Sequence, residues 1–335
     1  MSVKNWMVAV CFLLISACAT SIRSPTEPVA VTADPQLAAT NTAPRASLAD
    51  GQSIAALMNK NYNETTTSCT EYGTGKTRGY YFCTGVLART TDNGNFNPWE
   101  PSATALQLRA TSFSWIRHDI NTRTFYKRAG FLLLSPADVL AGTIPGATYL
   151  TVGSNVAVTC VYPFDAYTTR TMNRNYLGCD FEGTGLGHPN IGHTWGSCDN
   201  KLGLTTAAQW NSHFISNGQV NYRQCSWNAD NPQGWRNAIA SHASFPTGQS
   251  SWNEVMFFNY GPNVSPSVND TMARWIVAFF YDPAKSGSLN DAQVFQAKLA
   301  SLKNRRVPIL KLDFNAPAAQ RFQFNAADQA HQYYP

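Results

Sequence analysis

The sequence has little charge and, beyond its N-terminal leader, no long hydrophobic run. Asp, Glu, Lys and Arg make up 13% of its 335 residues, about half of the roughly 25% that is usual in soluble domains. The net charge of +5 is too dilute over this length to hold a nucleic-acid backbone. Hydrophobic residues reach 44% and aromatic residues 12%. This composition excludes a disordered protein, a coiled coil and a polybasic nucleic-acid binder, and it predicts a compact fold.

Several catalytic and metal-binding motifs are also absent, namely G-x-G-x-x-G, the P-loop, H-E-x-x-H, G-x-S-x-G and C-x-x-C. His188 and His193 flank a turn rich in Gly and Pro, and such a pair could meet a metal ion. No third ligand stands at a motif spacing, however, so the pattern favours solvated loop histidines. We therefore expect neither a metal nor a bound cofactor.

The first 18 residues have the pattern of an export signal. Lys4 supplies the positive charge, and residues 6–17 form an uncharged apolar run that is shorter than the roughly 20 residues needed to span a bilayer. Residues 14–18 resemble a bacterial lipobox with Cys18 as the lipidated residue, and the absence of Asp after Cys18 indicates the outer membrane. Residues 17–19 also fit an ordinary cleavage site, which would give a secreted protein instead.

Residues 19–49 predict a disordered tether. Ala, Thr, Ser and Pro make up 20 of these 31 residues, and none is aromatic. Such a segment cannot bury enough apolar area to offset its ordering entropy. Residues 50–335 then form a single globular domain.

Six cysteines remain after the leader: Cys69, Cys83, Cys160, Cys179, Cys198 and Cys225. An even number in an exported chain favours three disulfides. Pairing of nearest neighbours (69–83, 160–179 and 198–225) closes the shortest loops and is the connectivity that we predict, although the sequence also permits other pairings.

Apolar periodicity predicts an α+β fold in which strands dominate and a few helices are inserted. Helices are predicted over residues 52–61, 205–216 and 289–303, with Asp50, Thr205 and Ser288 as their caps and Asp291 completing a capping box in the third. Alternating aromatic and β-branched residues predict strands over residues 79–89, 111–117, 130–134, 156–162, 254–259, 275–281 and 307–314.

Glu254 is the most informative acidic residue. It stands at the head of the most apolar predicted strand, in Asn253-Glu254-Val255-Met256. A carboxyl group there is desolvated unless it has partners, which raises its pKa and marks a candidate catalytic residue. The alternative is an edge carboxylate that pairs with an arginine.

Two other positions could bind a ligand. Arg78 begins an aromatic strand and could anchor phosphate oxygens with its guanidinium, although a salt bridge is the alternative. Ser112 and Ser114 alternate with Phe113 and Trp115, so their hydroxyls share one side of a strand. They could orient a sugar, or they could simply bond to neighbouring backbone groups.

The chain resembles the halovibrins, exported bacterial proteins described as NAD⁺ glycohydrolases with a link to ADP-ribosyl transfer. All six cysteines and several blocks carry the resemblance: residues 82–87, 112–119, 160–166, 203–210, 253–255, 278–281 and 306–312. Because the blocks are spread along nearly the whole folded region, the resemblance implies the family's activity for the entire domain.

The resemblance also suggests an ADP-ribosyltransferase-like fold of the R-S-E type, in which an arginine, a serine motif and a late glutamate follow one another. Arg78, Ser112 with Ser114, and Glu254 occur in that order. Trp252 stands where many transferases carry a second acid, which favours water as the acceptor and hence hydrolysis.

These expectations define a catalytic site in which NAD⁺ is the substrate. Glu254 stabilises positive charge at the ribose, while Ser112 and Ser114 orient that ribose. Phosphate is held by Arg78, with Arg117 as a second candidate, and the ring stacks on Trp115 or Trp252. We expect the membrane to be contacted only through the lipid anchor, and the sequence identifies no protein target.

The composition also suits a different class of protein. With 9 Trp and 14 Tyr, the chain could be a non-enzymatic surface lipoprotein that binds glycans or a protein partner through aromatic side chains.

Overall fold

A computed structural model describes residues 48–66, 69–70, 77–78, 83–91, 97–100, 110–120, 122, 124–135, 138, 158–163, 198, 202–215, 225–228, 232–244, 252–258 and 273–330. The chain separates into two units, residues 1–42 and 43–335, and all described residues belong to the second. The predicted leader, Cys18 and most of the tether therefore lie outside the described residues.

Eleven strands occur in the described ranges: β1 (Cys69–Thr70), β2 (Thr77–Arg78), β3 (Val86–Thr91), β4 (Ala110–Ile116), β5 (Ala129–Leu133), β6 (Val158–Tyr162), β7 (Trp227–Asn228), β8 (Glu254–Phe258), β9 (Ile276–Tyr281), β10 (Ile309–Leu312) and β11 (Phe322–Phe324). β1 and β2 form a separate two-stranded ribbon. The other nine form one mixed sheet in the order β11-β10-β9-β5-β3-β4-β8-β6-β7. Its neighbours are antiparallel except for the parallel pair β9 and β10.

The described helices are α1 (Leu48–Asn63), α2 (Ala207–Trp210), α3 (Pro232–Ala243) and α4 (Ser288–Lys303). α2 continues into a π-helical turn, Asn211–Ile215, and two 3₁₀ turns, Ala318–Gln320 and Ala326–Asp328, flank β11. No helix in the described part of the chain combines the length and apolar character needed to cross a bilayer.

Strand alternation divides the core between the two faces of the sheet. Val86 and Ala88 belong to the cluster that contains Met58 of α1, and we call this side the α1 face. Leu87, between them, belongs to the opposite cluster, which contains Trp235 of α3, and we call that side the α3 face. Because both faces are covered, central strands such as β9 are buried along their whole length.

All three predicted helix caps are wrong. The cap of α2 is Thr206 rather than Thr205. α1 begins at Leu48, so Asp50 lies in its first turn rather than at its cap.

α4 is preceded by Gly287, in the left-handed region, and no side chain caps it. The predicted capping residue Asp291 instead accepts hydrogen bonds from Arg128 at 2.6 and 3.1 Å. Hydrogen bonds from a charged guanidinium stabilise a buried carboxylate more than a hydrogen bond from a backbone N–H group at a helix cap does.

Three carboxamide side chains each bind both backbone groups of one distant residue. Asn59 accepts from Phe322 N at 2.9 Å and donates to Phe322 O at 2.8 Å. Asn253 does the same with Trp115, at 2.8 Å for both bonds. Gln329 bonds Ile309 N and O at 2.8 and 2.9 Å. Each side-chain amide therefore satisfies the backbone N–H and C=O groups that a neighbouring strand would otherwise bind.

The α+β prediction is confirmed, with helices packed against one mixed sheet. The predicted Cys198–Cys225 disulfide is also confirmed, and Cys83 is disulfide-bonded. The pairings predicted for Cys69, Cys160 and Cys179 depend on side chains that lie outside the described residues.

Candidate functional site

Ser112, Ser114 and Glu254 lie on one face of two adjacent strands. In the β4–β8 pair, Ser112 stands opposite Met256 and Phe113 opposite Val255. Directly paired residues point to the same face, and so do residues two apart in a strand. The two hydroxyls and the Glu254 carboxylate therefore share a face, and the pairing of Ser114 with Ala88 identifies it as the α1 face.

The neighbouring residue Asn253 fixes the position of Glu254. Its buried carboxamide holds the N–H and C=O of Trp115, which extends the contact between β4 and β8 beyond the pair Phe113 and Val255. On the other side of β8, Glu254 stands opposite the buried Tyr162 of β6. A half-buried carboxylate is thus held between two strands at the start of β8.

Ser114 is buried, with 8% of its surface exposed, and Ser112 is half-buried. The Ser114 hydroxyl is thus largely shielded from bulk water, and both hydroxyls share a face with the carboxylate. This arrangement can bind the hydroxyls of a sugar, because carboxylate and hydroxyl oxygens accept hydrogen bonds and a serine can also donate one.

Trp115 occupies a different place from the one that ring stacking requires. Only 1% of its surface is exposed, its Nε1 donates to Thr84 O at 3.1 Å, and its ring centroid lies 4.6 Å from that of Trp235. The side chain belongs to the core of the α3 face. Sequence alone does not separate a buried tryptophan from one that stacks on a ligand.

Arg117 is held by the protein itself. Its guanidinium makes a bidentate contact with Asp119 at 2.7 and 2.6 Å, and Nη1 donates to Thr66 O at 3.0 Å and Thr84 Oγ1 at 2.8 Å. The charge also lies 5.3 Å from the ring centroid of Trp115. Phosphate binding by Arg117 would require these contacts to be exchanged, so its geometry suits a structural role better.

Arg78 lies in the β1–β2 ribbon, where its Cα stands opposite Cys69. Its side chain falls outside the described residues. The large sheet therefore brings together the serines and the glutamate of the predicted site, while Arg78 belongs to a different sheet.

Arg89, which the sequence reasoning did not select, lies in β3, next to the serine strand. Burial lowers its pKa to about 10, and attraction to the Glu254 carboxylate partly opposes this shift. Its Nη1 is buried and has no hydrogen-bond partner among the residues that the structure describes. Because side chains alternate along a strand, Arg89 points to the face opposite that of Ala88. Its charge nevertheless interacts with the Glu254 carboxylate. The available signal was an arginine inside the apolar strand Val86-Leu87-Ala88-Arg89.

Trp252 lies beside the α1 face, where it packs against the apolar cluster. Its ring centroid is 6.2 Å from that of Tyr126, and Lys127 Nζ is 4.4 Å from the Tyr126 centroid. We call Tyr126, Lys127 and Trp252 the aromatic ledge. Trp252 precedes Glu254 by two residues, so the ledge borders the candidate site.

α3, on the other side of the sheet, carries a buried histidine. His242, at the end of α3, bonds Pro163 O through Nδ1 and lies 3.4 Å from Thr122 Oγ1 through Nε2. Burial lowers its pKa to about 4, with the Pro163 hydrogen bond opposing the shift. In the described ranges, no three His, Cys, Asp or Glu side chains form a cluster that could hold a metal ion.

No protein-family model matches this chain, and no curated protein matches it significantly.

Proposed function

We propose that the protein is an exported NAD⁺ glycohydrolase with an ADP-ribosyltransferase-like fold, as its resemblance to the halovibrins implies. The observation that carries the proposal is the shared face of Ser112, Ser114 and Glu254 on adjacent strands. Arg89 lies on the next strand and interacts electrostatically with Glu254. An arginine, a serine pair and a glutamate thus follow one another across three neighbouring strands, in the order of the R-S-E pattern.

The reaction would break the N-glycosidic bond between nicotinamide and ribose. Positive charge develops at the anomeric carbon as this bond breaks. The Glu254 carboxylate stabilises that charge and bonds the ribose hydroxyls, while Ser112 and Ser114 orient the sugar. Nicotinamide leaves with the electron pair of the broken bond, and water then adds to the anomeric carbon and releases one proton to solvent. The site requires no metal for this chemistry.

The phosphates need a cationic anchor. Arg78 is the candidate for this role, because it takes the arginine position of the R-S-E order and a guanidinium binds phosphate oxygens well. Arg89 is directed to the opposite face of the sheet from Ser114, so it acts on the site only through its electrostatic interaction with Glu254. Arg117 is less suitable than Arg78, because Asp119 and Thr84 already occupy its guanidinium.

The decisive experiment follows nicotinamide release from NAD⁺ by the purified, disulfide-bonded chain carrying Cys18→Ser, which removes the predicted lipid attachment. Glu254→Gln should reduce the rate by at least about a hundredfold while changing the melting temperature little. Glu64→Gln is the matched control, because Glu64 lies just after α1 and bonds only the nearby Thr65 and Thr66 in the described contacts. A folded chain that releases no nicotinamide would refute the enzyme proposal.

A non-enzymatic binding protein is the second candidate, favoured by the exposed Tyr126 ring. Binding of a glycan or protein partner by a chain that releases no nicotinamide would support it. For location, we propose an outer-membrane lipoprotein anchored through Cys18, with secretion as the alternative. Radiolabelled palmitate incorporation that disappears in Cys18→Ser would distinguish the two.

A further inference from the structure

The aromatic ledge presents a large ring to solvent in a fixed position. Tyr126 has 69% of its surface exposed, whereas the preceding Phe125 is buried. The Phe125 ring centroid lies 5.4 Å from those of both Phe280 and Phe314. A buried neighbour therefore anchors the segment that carries the exposed ring.

A second contact holds the same segment. Lys285 Nζ donates to Phe125 O and, at 3.3 Å, to Lys127 O, so one ammonium group binds the backbone on both sides of Tyr126. Exposed aromatic rings are usually mobile, and ordering them in water loses entropy without a compensating gain. A ring that the protein orders before any ligand arrives is preorganised for stacking.

The chemistry of the ledge indicates what stacks there. Tyr126 and Trp252 offer π-faces, and Lys127 lies 4.4 Å from the Tyr126 centroid on a flexible stem that can turn toward an anion. A planar base that carries a phosphate uses both the rings and the cation, whereas a neutral sugar uses the rings alone. Two residues of extended strand separate Trp252 from Glu254, roughly 7 Å.

We infer that the aromatic ledge binds the adenine nucleotide end of the substrate, with the base stacked on Tyr126 and Lys127 directed to a phosphate. The inference rests on the proposed function, since it assigns the two ends of NAD⁺ to neighbouring parts of one surface. The ribose that reacts lies at Glu254, and the adenine lies beyond Trp252.

The test is isothermal titration calorimetry of the Cys18→Ser chain with AMP and with adenosine. Tyr126→Ala should weaken the binding of both ligands by about 5- to 100-fold. Tyr126→Phe keeps the ring and should bind both ligands as tightly as Tyr126 does. Lys127→Ala should weaken AMP binding and leave adenosine binding unchanged. Leu302→Ala is the matched control, because Leu302 is also an exposed large hydrophobic residue and should change neither.

Nicotinamide release by the same variants separates this inference from the proposed function. AMP binding that depends on Tyr126 in a chain without activity would refute the enzyme and preserve the nucleotide site. An active chain in which Tyr126→Ala changes neither the KM for NAD⁺ nor the affinity for AMP would overturn the inference alone. Absence of AMP binding at millimolar concentration would also overturn it, as would Tyr126-dependent binding of neutral glycans in place of AMP.

Discussion

Gly85 should be one of the least replaceable residues in the protein. It precedes β3 with φ at 74°, and a Cβ atom there would lie 2.3 Å from Nε1 and 2.5 Å from Cε2 of Trp115. The left-handed conformation costs a residue with a Cβ about 1–2 kcal/mol. Overpacking adds about 1–3 kcal/mol, because hydrogen bonding to Thr84 and packing on Trp235 prevent Trp115 from moving away. Gly85→Ala should therefore lower the free energy of unfolding by about 2–5 kcal/mol.

Gly203 offers a matched control within the same chain. Its φ is 64°, but nothing lies within 4 Å of a Cβ added there. Gly203→Ala should therefore cost only the conformational part, about 1–2 kcal/mol. Urea unfolding followed by circular dichroism would measure both variants. Equal losses for the two alanines, with unchanged m values, would refute the conclusion that Trp115 is fixed in place above Gly85.

Three further predictions concern the site and its surroundings. Arg89→Met should leave stability unchanged or slightly raised, because a buried charge is removed, while nicotinamide release falls by up to about tenfold, because the Glu254 carboxylate loses a nearby positive charge; a large loss of stability instead would assign Arg89 a structural role. Asn253→Ala should cost about 2–4 kcal/mol, since two buried backbone groups of Trp115 lose their partner, whereas Asn63→Ala, which removes two exposed bonds, should cost less than about 1 kcal/mol. Because burial lowers the pKa of His242 to about 4 from 6.5, the unfolded chain takes up a proton first as the pH falls. Stability should therefore be full above pH 6.5 and decline by about 1.4 kcal/mol per pH unit toward pH 4; urea unfolding of His242→Gln across this range should show a shallower decline, and an identical slope would contradict the assignment.

The longer strands were predictable because their cause is local, whereas the short strands β1, β2, β7 and β11 were missed. Alternation in Thr111-Ser112-Phe113-Ser114 placed both hydroxyls on one side of a strand, and the observed register agrees. α3 was missed because Gly234 and Asn237, both buried in this helix, weaken the apolar period on which sequence reading depends. Its stability comes from tertiary packing, such as the contact of Trp235 with Trp115.

The candidate site was only partly predictable, because it depends on which strands become neighbours. Glu254 could be selected from its position at the head of an apolar strand, but its place beside Ser112 and Ser114 follows from long-range pairing that leaves no local signal. Arg89 lies in the same sheet as Glu254, whereas Arg78 lies in a separate ribbon, and the sequence offered no means of choosing between them. Tyr126 was missed for the same reason, since it becomes a candidate binding residue only through its proximity to Trp252, which is distant in sequence.

The hydrogen bonds between Asn59 and Phe322 join positions 263 residues apart, and this separation determines the order in which the chain can fold. α1 is among the first parts of the domain to be synthesised, yet β11, which it packs against, is among the last. Until residue 322 is available, the apolar side of α1 lacks that partner, and a growing chain cannot complete the α1 face. Folding of the α1 face must therefore finish after β11 has been synthesised. Removal of the last residues of the domain would consequently expose its first helix.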